Sequence, residues 1–265
     1  GPALTPYVRS LYFFAGDAGD PDKPHTFRYP SDGGPELILN LGDPFAAGSC
    51  EARLQTFSGF NIIGPLSCHL LTRTAGSASF VAVRFRPGGM APFFDVPAYE
   101  LTDQIADIET FWGEFGKQTE QQARKARTPA ETVTFVQRAL CARQSYPFSI
   151  DRHMTGAIDD VFASRGQLRV GRLARAAGLS RRQFERRFKR MVGLSPKRLC
   201  RIVRFANAFD PTHRNHQKGW VQTALACGYS DQAHLIRECR YFTGHSPEAY
   251  LRKRSPLEDA IFNGA

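Results

Sequence analysis

Arg182, Glu185, Arg186 and Lys189 recur at i, i+3, i+4 and i+7, a spacing that collects them on one face of an α-helix. Those side chains suit a duplex. A guanidinium can pair with both acceptor atoms of guanine, a carboxylate can accept from the cytosine amino group, and cations neutralise phosphates. Some fifty residues later Gln232, His234 and Arg237 form a second outward polar set, beside Ser230 and Asp231. Arg181, Lys189, Arg190, Lys197 and Arg198 are placed to hold phosphates around the first set.

Other residues invite different chemistry. Arg84 and Arg86 share one face of the strand-like stretch SFVAVRF, and the following Pro-Gly-Gly could offer backbone N–H groups to an anion. A tight turn with salt-bridged arginines is the competing use. Arg124 and Arg127 lie in a basic stretch between the two halves of the chain, suited to a phosphorylated effector such as a cyclic dinucleotide or to DNA backbone. His25 and His69 stand apart with no HxH pair, so no metal site is expected. Cys68 and His69 are adjacent. On a strand they would point to opposite faces, which argues against a nucleophile–base pair and for packing roles.

The elements that must carry these groups divide the chain. Through residue 115, short apolar runs (VRSLYFF, ELILNLG, NIIGPLS, SFVAVRFRPGG) alternate with Gly, Pro, Asn and Asp, the pattern of a small β-barrel or sandwich. Phe80, Ala82 and Arg84 fall on one face of the last run and Val81, Val83 and Phe85 on the other. APFFDVPAYELTD suggests irregular structure and a short helix. Residues 116–150 read as a helical segment ending in the linker SYPFS. Pro129 can open a helix there, and Val133, Val136 and Leu140 form a stripe that packs on the sheet or serves as a dimer seam. Residues 151–254 read as all-helical.

This helical stretch says the same phrase twice, GLSRRQFERRFKRMVGLSP and GYSDQAHLIRECRYFTGHSP. Each copy begins with a glycine that can end a helix and a serine that can cap the next. Phe184, Phe188 and Met191 face inward in the first copy; Leu235, Cys239 and Phe242 do so in the second. Gly178 and Gly228 are 50 apart but Pro196 and Pro247 are 51 apart, so the second unit holds one extra residue. SPKRLCRIVRFANAF between them is an amphipathic helix of roughly 21 Å at 1.5 Å per residue. Two helix-turn-helix readers joined this way could enter adjacent major grooves.

Charge follows the same division. Residues 1–115 hold 7 Lys/Arg against 13 Asp/Glu, whereas residues 116–265 hold 28 against 12, so the whole excess of +10 belongs to the second half. A half that basic attracts polyphosphate. Six scattered cysteines without a CxxC pair suggest reduced thiols; with no apolar run long enough to span a bilayer and no export-type leader, a cytoplasmic protein is expected.

LARAAGLSRRQFERRFKRMVGLSP and ALACGYSDQAHLIRECRYFTGHSPEAYL resemble the paired helix-turn-helix units of AraC/XylS-type bacterial transcription regulators. The resemblance implies structural roles for Gly178, Gly193, Gly228, Gly244, Pro196 and Pro247. It implies base reading by Arg182, Glu185 and Arg186 in one unit and by Gln232, His234 and Arg237 in the other. Cys239 departs from the family's usual phenylalanine, and the polar DPTHRNHQKGW between the units is also unusual. YPSDGGPELILNLG, NIIGP, VAVRFRPGGMAPFFDVPAYELTD and FWG are similar to the family's cupin-like sensory domains.

The expected architecture is α+β: a cupin-like effector domain over 1–115, a helical dimerisation or linker segment over 116–150, and a double helix-turn-helix domain over 151–254. The expected partners are promoter DNA, RNA polymerase, a second copy of the chain and a small effector. That effector is either a cyclic dinucleotide on Arg84, Arg86, Arg124 and Arg127 or a sugar or aromatic molecule inside the barrel. By resemblance the protein is an activator with no catalytic residues and no cofactor. The rival from another class is a cupin-type enzyme that modifies a small molecule and carries a nucleic-acid-binding tail.

Overall fold

The computed structural model describes residues 3–20, 22–144, 151–210 and 219–253. The SYPFS linker and most of DPTHRNHQKGW lie outside those residues, as does Arg254.

Antiparallel strands make one sheet from β1 (Val8–Gly19), β2 (His25–Pro30), β3 (Glu36–Gly48), β4 (Gln55–Ile63), β5 (His69–Thr74), β6 (Gly76–Phe85) and β7 (Ile105–Asp107). Neighbours run β1-β6-β3-β4-β7, with β5 joining β2 to β3. An irregularity in β3 between Asn40 and Phe45 explains the branching. Before it β3 pairs with β6, and after it, at Ala46–Gly48, it pairs with β5. The sheet therefore curls, and residues from β1 to β6 surround one interior space.

Alternation sets the two faces. Leu37, Leu39, Phe60, Ile62, Val81, Val83 and Phe85 point to a fully buried layer beneath the helices that follow. Ile38, Asn40 and Phe80 point to the interior space. Those helices are α1 (Glu109–Trp112), α2 (Glu114–Arg124) and α3 (Pro129–Arg143), the last opened by Pro129 with Thr128 as its cap. Val136 and Leu140 are buried in that layer and Val133 packs on it, so of the two uses weighed for this stripe, packing on the sheet accounts for it. Residues 91–101 are irregular apart from a 3-10 turn at Ala98–Leu101.

The remaining helices are α4 (Arg152–Ala163), α5 (Val170–Ala176), α6 (Arg181–Val192), α7 (Pro196–Ala208), α8 (Trp220–Ala226), α9 (Gln232–Thr243) and α10 (Pro247–Lys253). They share one core in which Phe184, Phe188, Leu235, Cys239 and Phe242 have no exposed surface. Met191 differs from expectation: it is only half-buried and turns toward the barrel, beside Gly88. Phe205, Phe209, Trp220, Phe242 and Tyr250 form an aromatic cluster around α9, with centroid separations of 4.9 to 6.0 Å.

Candidate nucleic-acid interface and effector cavity

Helices α5–α6 and α8–α9 are the two turn-linked pairs, and the turn geometry assigns the extra residue. Helices α5 and α8 begin 50 residues apart, but α6 and α9 begin 51 apart. The insertion is thus in the second turn, at Asp231. In the first unit Ser180 caps α6, its hydroxyl accepting from Gln183 N while Gln183 answers the Ser180 N–H, a full capping box. In the second unit the cap is not the expected Ser230. It is Asp231, whose carboxylate accepts from His234 N at 2.7 Å. That bond and the Ser230 hydroxyl hold the Asp231 carboxyl below its ordinary range. His234 takes the place of Gln183, its Nδ1 lying 3.2 Å from Ser230 Oγ and its ring edge-on to Tyr229 at 5.2 Å.

The corrected register changes which residues correspond. Arg182, Glu185, Arg186 and Lys189 match Ala233, Ile236, Arg237 and Arg240. Arg182, Arg186, Arg237 and Arg240 are exposed. Arg182 and Arg186 make no ion pair among the described residues. Glu185 is joined to Arg181 at 2.9 Å. Ile236 is half-exposed and does not pack on the helical core. The spacing of outward polar residues could not reveal Ala233 and Ile236, because apolar residues on a helix read as core.

Helices α6 and α9 both begin at one groove. It is formed by α5, α7 and the first turns of α6 and α9, with an empty volume of about 1810 Å³ including its open side. Arg169, Arg172, Arg175, Arg181, Lys197 and Arg204 line it with His234, and its described lining holds no acidic residue. Of the expected phosphate contacts, Arg181 and Lys197 are here. Lys189 sits 5.9 Å over the Tyr99 ring, and Arg190 lines a different groove against Asp95 and Pro97. Arg198 is half-buried with its guanidinium 5.0 Å over Tyr241.

The four candidate effector arginines are not brought together. Arg84 is buried opposite its cross-strand partner Glu36, donating to Glu36 Oε1 at 3.2 Å and to Tyr29 Oη at 3.0 Å. Arg86 lies past the end of β6, exposed, and donates to the Thr5 carbonyl. A joint role for this pair is thereby corrected: one has a buried carboxylate and the other has solvent. Arg124 donates to Glu120 at 2.8 Å and to the Asn40 carbonyl at 2.9 Å. With Arg127 it lines a groove whose described lining runs only from Phe13 to Thr132, with no contribution from the helical domain.

The interior space of the barrel offers about 750 Å³, mouth included. Phe27, Ile38, Phe45, Ile63, Leu70 and Phe80 make it apolar, and Tyr12, Tyr29 and Glu36 close its base. The Tyr29 hydroxyl donates to Glu36 Oε2 at 3.0 Å. Burial pushes the Glu36 carboxyl upward against the opposing pull of Arg84, and burial together with the Glu36 charge keeps both tyrosines protonated well above their ordinary range.

Comparison with known proteins adds to this geometry. Residues 173–253 match the family model described as a helix-turn-helix domain, and residues 1–107 match a domain of unknown function. Residues 173–253 thus form a helix-turn-helix domain. No curated protein matches the sequence. Among solved structures, ToxT from Vibrio cholerae aligns over 92% of this chain and 98% of its own, at 8% identity and a TM-score of 0.51. An apo ToxT variant from strain SCE256 aligns over 93% and 98%, at 10% identity and a TM-score of 0.52. The AraC-like transcriptional activator CuxR aligns over 80% and 81%, at 14% identity with a TM-score of 0.30. The ToxT likeness is one of fold, a β-rich domain followed by helices. A helix-turn-helix domain implies binding to DNA. No helix among its described residues is long and apolar enough to cross a membrane.

The helix-turn-helix domain is held by the barrel at the carboxyl ends of α6 and α9. Gly193 ends α6 at φ 84°, and a side chain there would collide with the Ala98 carbonyl and Pro65. Its carbonyl accepts from Thr102 Oγ1 at 2.9 Å. At the end of α9 the Tyr241 carbonyl accepts from Cys68 Sγ at 2.8 Å, and Gly244 meets the Arg28 side chain. Leu199 of α7 packs against Gly33.

Cys68 also corrects an expectation. It lies in a bend just before β5, where strand alternation does not apply, and its Sγ is 3.3 Å from His69 Nδ1. Burial pushes the thiol up and the imidazole down, so both stay neutral, the opposite of an activated thiolate–imidazolium pair.

Proposed function

We propose that this protein is an effector-controlled transcription regulator whose α6 and α9 enter successive major grooves on one side of a duplex. One observation supports this above the others: both reading helices start at a single basic groove with no carboxylate in its described lining. Arg182 and Arg186 on one side and Arg237 on the other read bases, joined by Ala233 and Ile236. Arg169, Arg172, Arg175, Arg181 and Lys197 hold the phosphates between them. Helix α7, at 13 residues, spans about 20 Å between the units. Contact with RNA polymerase, activation at a promoter, and a homodimer on paired half-sites are carried over from the AraC-type resemblance.

The effector site favoured by the structure is the barrel interior. A cyclic dinucleotide would need convergent arginines, and Arg84 is committed to Glu36 while Arg124 already serves Glu120 and Asn40. The barrel offers a half-open apolar space with a few polar groups, the ordinary form of a small-molecule site.

Binding of variants to a duplex selected by the wild-type protein, and to random duplex, tests the DNA reading. Arg186→Ala is expected to cost about 1–3 kcal/mol on the selected duplex and much less on random DNA. Arg172→Ala is expected to weaken both alike and to lower the salt slope by about 1. Equal losses from Arg186→Ala on both duplexes would remove α6 from the base-reading role.

A further inference from the structure

Taking the barrel interior as the effector site, as proposed above, we infer that its ligand is a small aromatic or aliphatic amine rather than a carboxylate or phosphate. The described lining contains no lysine, arginine or histidine. Its two ionisable acids stand at opposite ends, Glu36 buried at the base and Asp43 exposed at the mouth. Arg84, the nearest guanidinium, is not part of the wall. It lies over the Tyr12 and Tyr29 rings at 5.3 and 5.9 Å and is saturated by Glu36 and Tyr29. An anion entering this space would lose its hydration and find no unpaired cation in the described lining, since Arg84 behind the base already serves Glu36. An ammonium finds carboxylate oxygens at Glu36 and Asp43 and the faces of aromatic rings.

The interior also holds polar atoms with nothing to bind. Tyr12 is 7% exposed, and its hydroxyl approaches Glu36 without a well-formed hydrogen bond there; the hydroxyl of Thr74, on β5, is without a partner among the described residues. Buried polar groups are normally satisfied, so a pair of orphans lining one cavity indicates where a ligand's polar atoms belong. The amino group sits at Tyr12, where that hydroxyl accepts and the Glu36 carboxylate answers the charge. The ring or chain lies among Phe27, Ile38, Phe45 and Phe80, and Thr74 takes any second polar group.

Tyr29 and Arg84 give such a ligand a consequence. Both also line the groove between the barrel and the helical domain, facing Phe205, Asn207 and Tyr250. A donor that competes for Glu36 would weaken its hold on those same two side chains.

The test uses three probes that share a phenylethyl group, phenethylamine, 2-phenylethanol and 3-phenylpropanoate, with the melting temperature of the full chain as readout. Phenethylamine is expected to raise it in a concentration-dependent way, the alcohol less, and the carboxylate not at all. Tyr12→Phe, which keeps the ring and the Arg84 contact, should cut the amine's apparent affinity several-fold. Ala78→Phe, which fills the interior, should abolish every shift while the melt stays cooperative. A carboxylate shift equal to or larger than the amine's, or no shift with any probe, overturns the amine assignment. If Ala78→Phe abolishes a carboxylate shift, the cavity reading survives and only the ligand class falls. An amine shift that persists in Ala78→Phe overturns both.

Discussion

At Ile236 an aliphatic side chain stands half-exposed beside Arg237, on the helix face that in the first unit carries two arginines and a glutamate. An apolar group there costs solvent exposure in the free protein, and the thymine methyl is the feature of the major groove that would relieve it. Replacing Ile236 with Ala should lower affinity for a selected duplex by about 1 kcal/mol, near the value of a buried methylene or two. The sharper measurement exchanges thymine for uracil in the half-site read by α9. Wild-type protein should lose affinity on that exchange and Ile236→Ala should not. Equal sensitivity of the two proteins would place Ile236 away from the bases. His234, by contrast, is already engaged in the turn through Ser230 and Tyr229. Its imidazole helps shape the start of α9, as Gln183 does for α6.

Helices α7 and α9 are tied by the bidentate pair of Arg201 with Glu238, at 2.9 and 2.7 Å, and Arg201 also lies over Tyr241 and Phe242. The pair is partly exposed on the arginine side, so screening discounts its worth. Glu238→Ala should still destabilise the fold by about 1–3 kcal/mol, because it strands a guanidinium over the aromatic core. A denaturant midpoint unchanged by that substitution would show the tie to be incidental. The helical character of the second half, the two turn-linked pairs with the helix between them, the inward faces of α6 and α9 apart from Met191, and the insertion were legible in the sequence, because glycine, serine and proline mark helix ends by local geometry. The insertion's position was not, since both Ser230 and Asp231 can cap and only the backbone decides. The strands were legible for a similar local reason. That Arg84 answers Glu36 was hidden, because the partners are 48 residues apart and meet only through strand register. The grip on the reading helices was hidden too, as nothing local to Thr102 or Cys68 reveals a partner carbonyl on another domain.

That grip decides how the two readers are presented together. Each is anchored at its carboxyl end to the barrel, α6 through Thr102 and Gly193, α9 through Cys68, Arg28 and Gly244, while their amino ends are free at the basic groove. Two rods fixed at one end on a common plate change their mutual angle when the plate deforms. The anchors belong to different regions of the barrel domain. Thr102 follows the 3-10 turn, whereas Cys68 and Arg28 belong to the β2–β5 pair or its edge, whose other residues, Phe27, Leu70 and Thr72, line the interior. With the effector in the barrel, as proposed, its occupancy is expected to act more directly on α9 than on α6. Hydrogen exchange separates the two anchors. Thr102→Val, which deletes one hydrogen bond worth about 1 kcal/mol, should speed exchange at the end of α6 by about five-fold and leave α9 unchanged. Cys68→Ala should do the converse. Occupancy of the interior by a bound probe should alter exchange along α9 first, and that response should disappear in Cys68→Ala. Uniform changes across both helices in either variant would mean that the barrel holds the helical domain as one block and cannot adjust the angle between its readers.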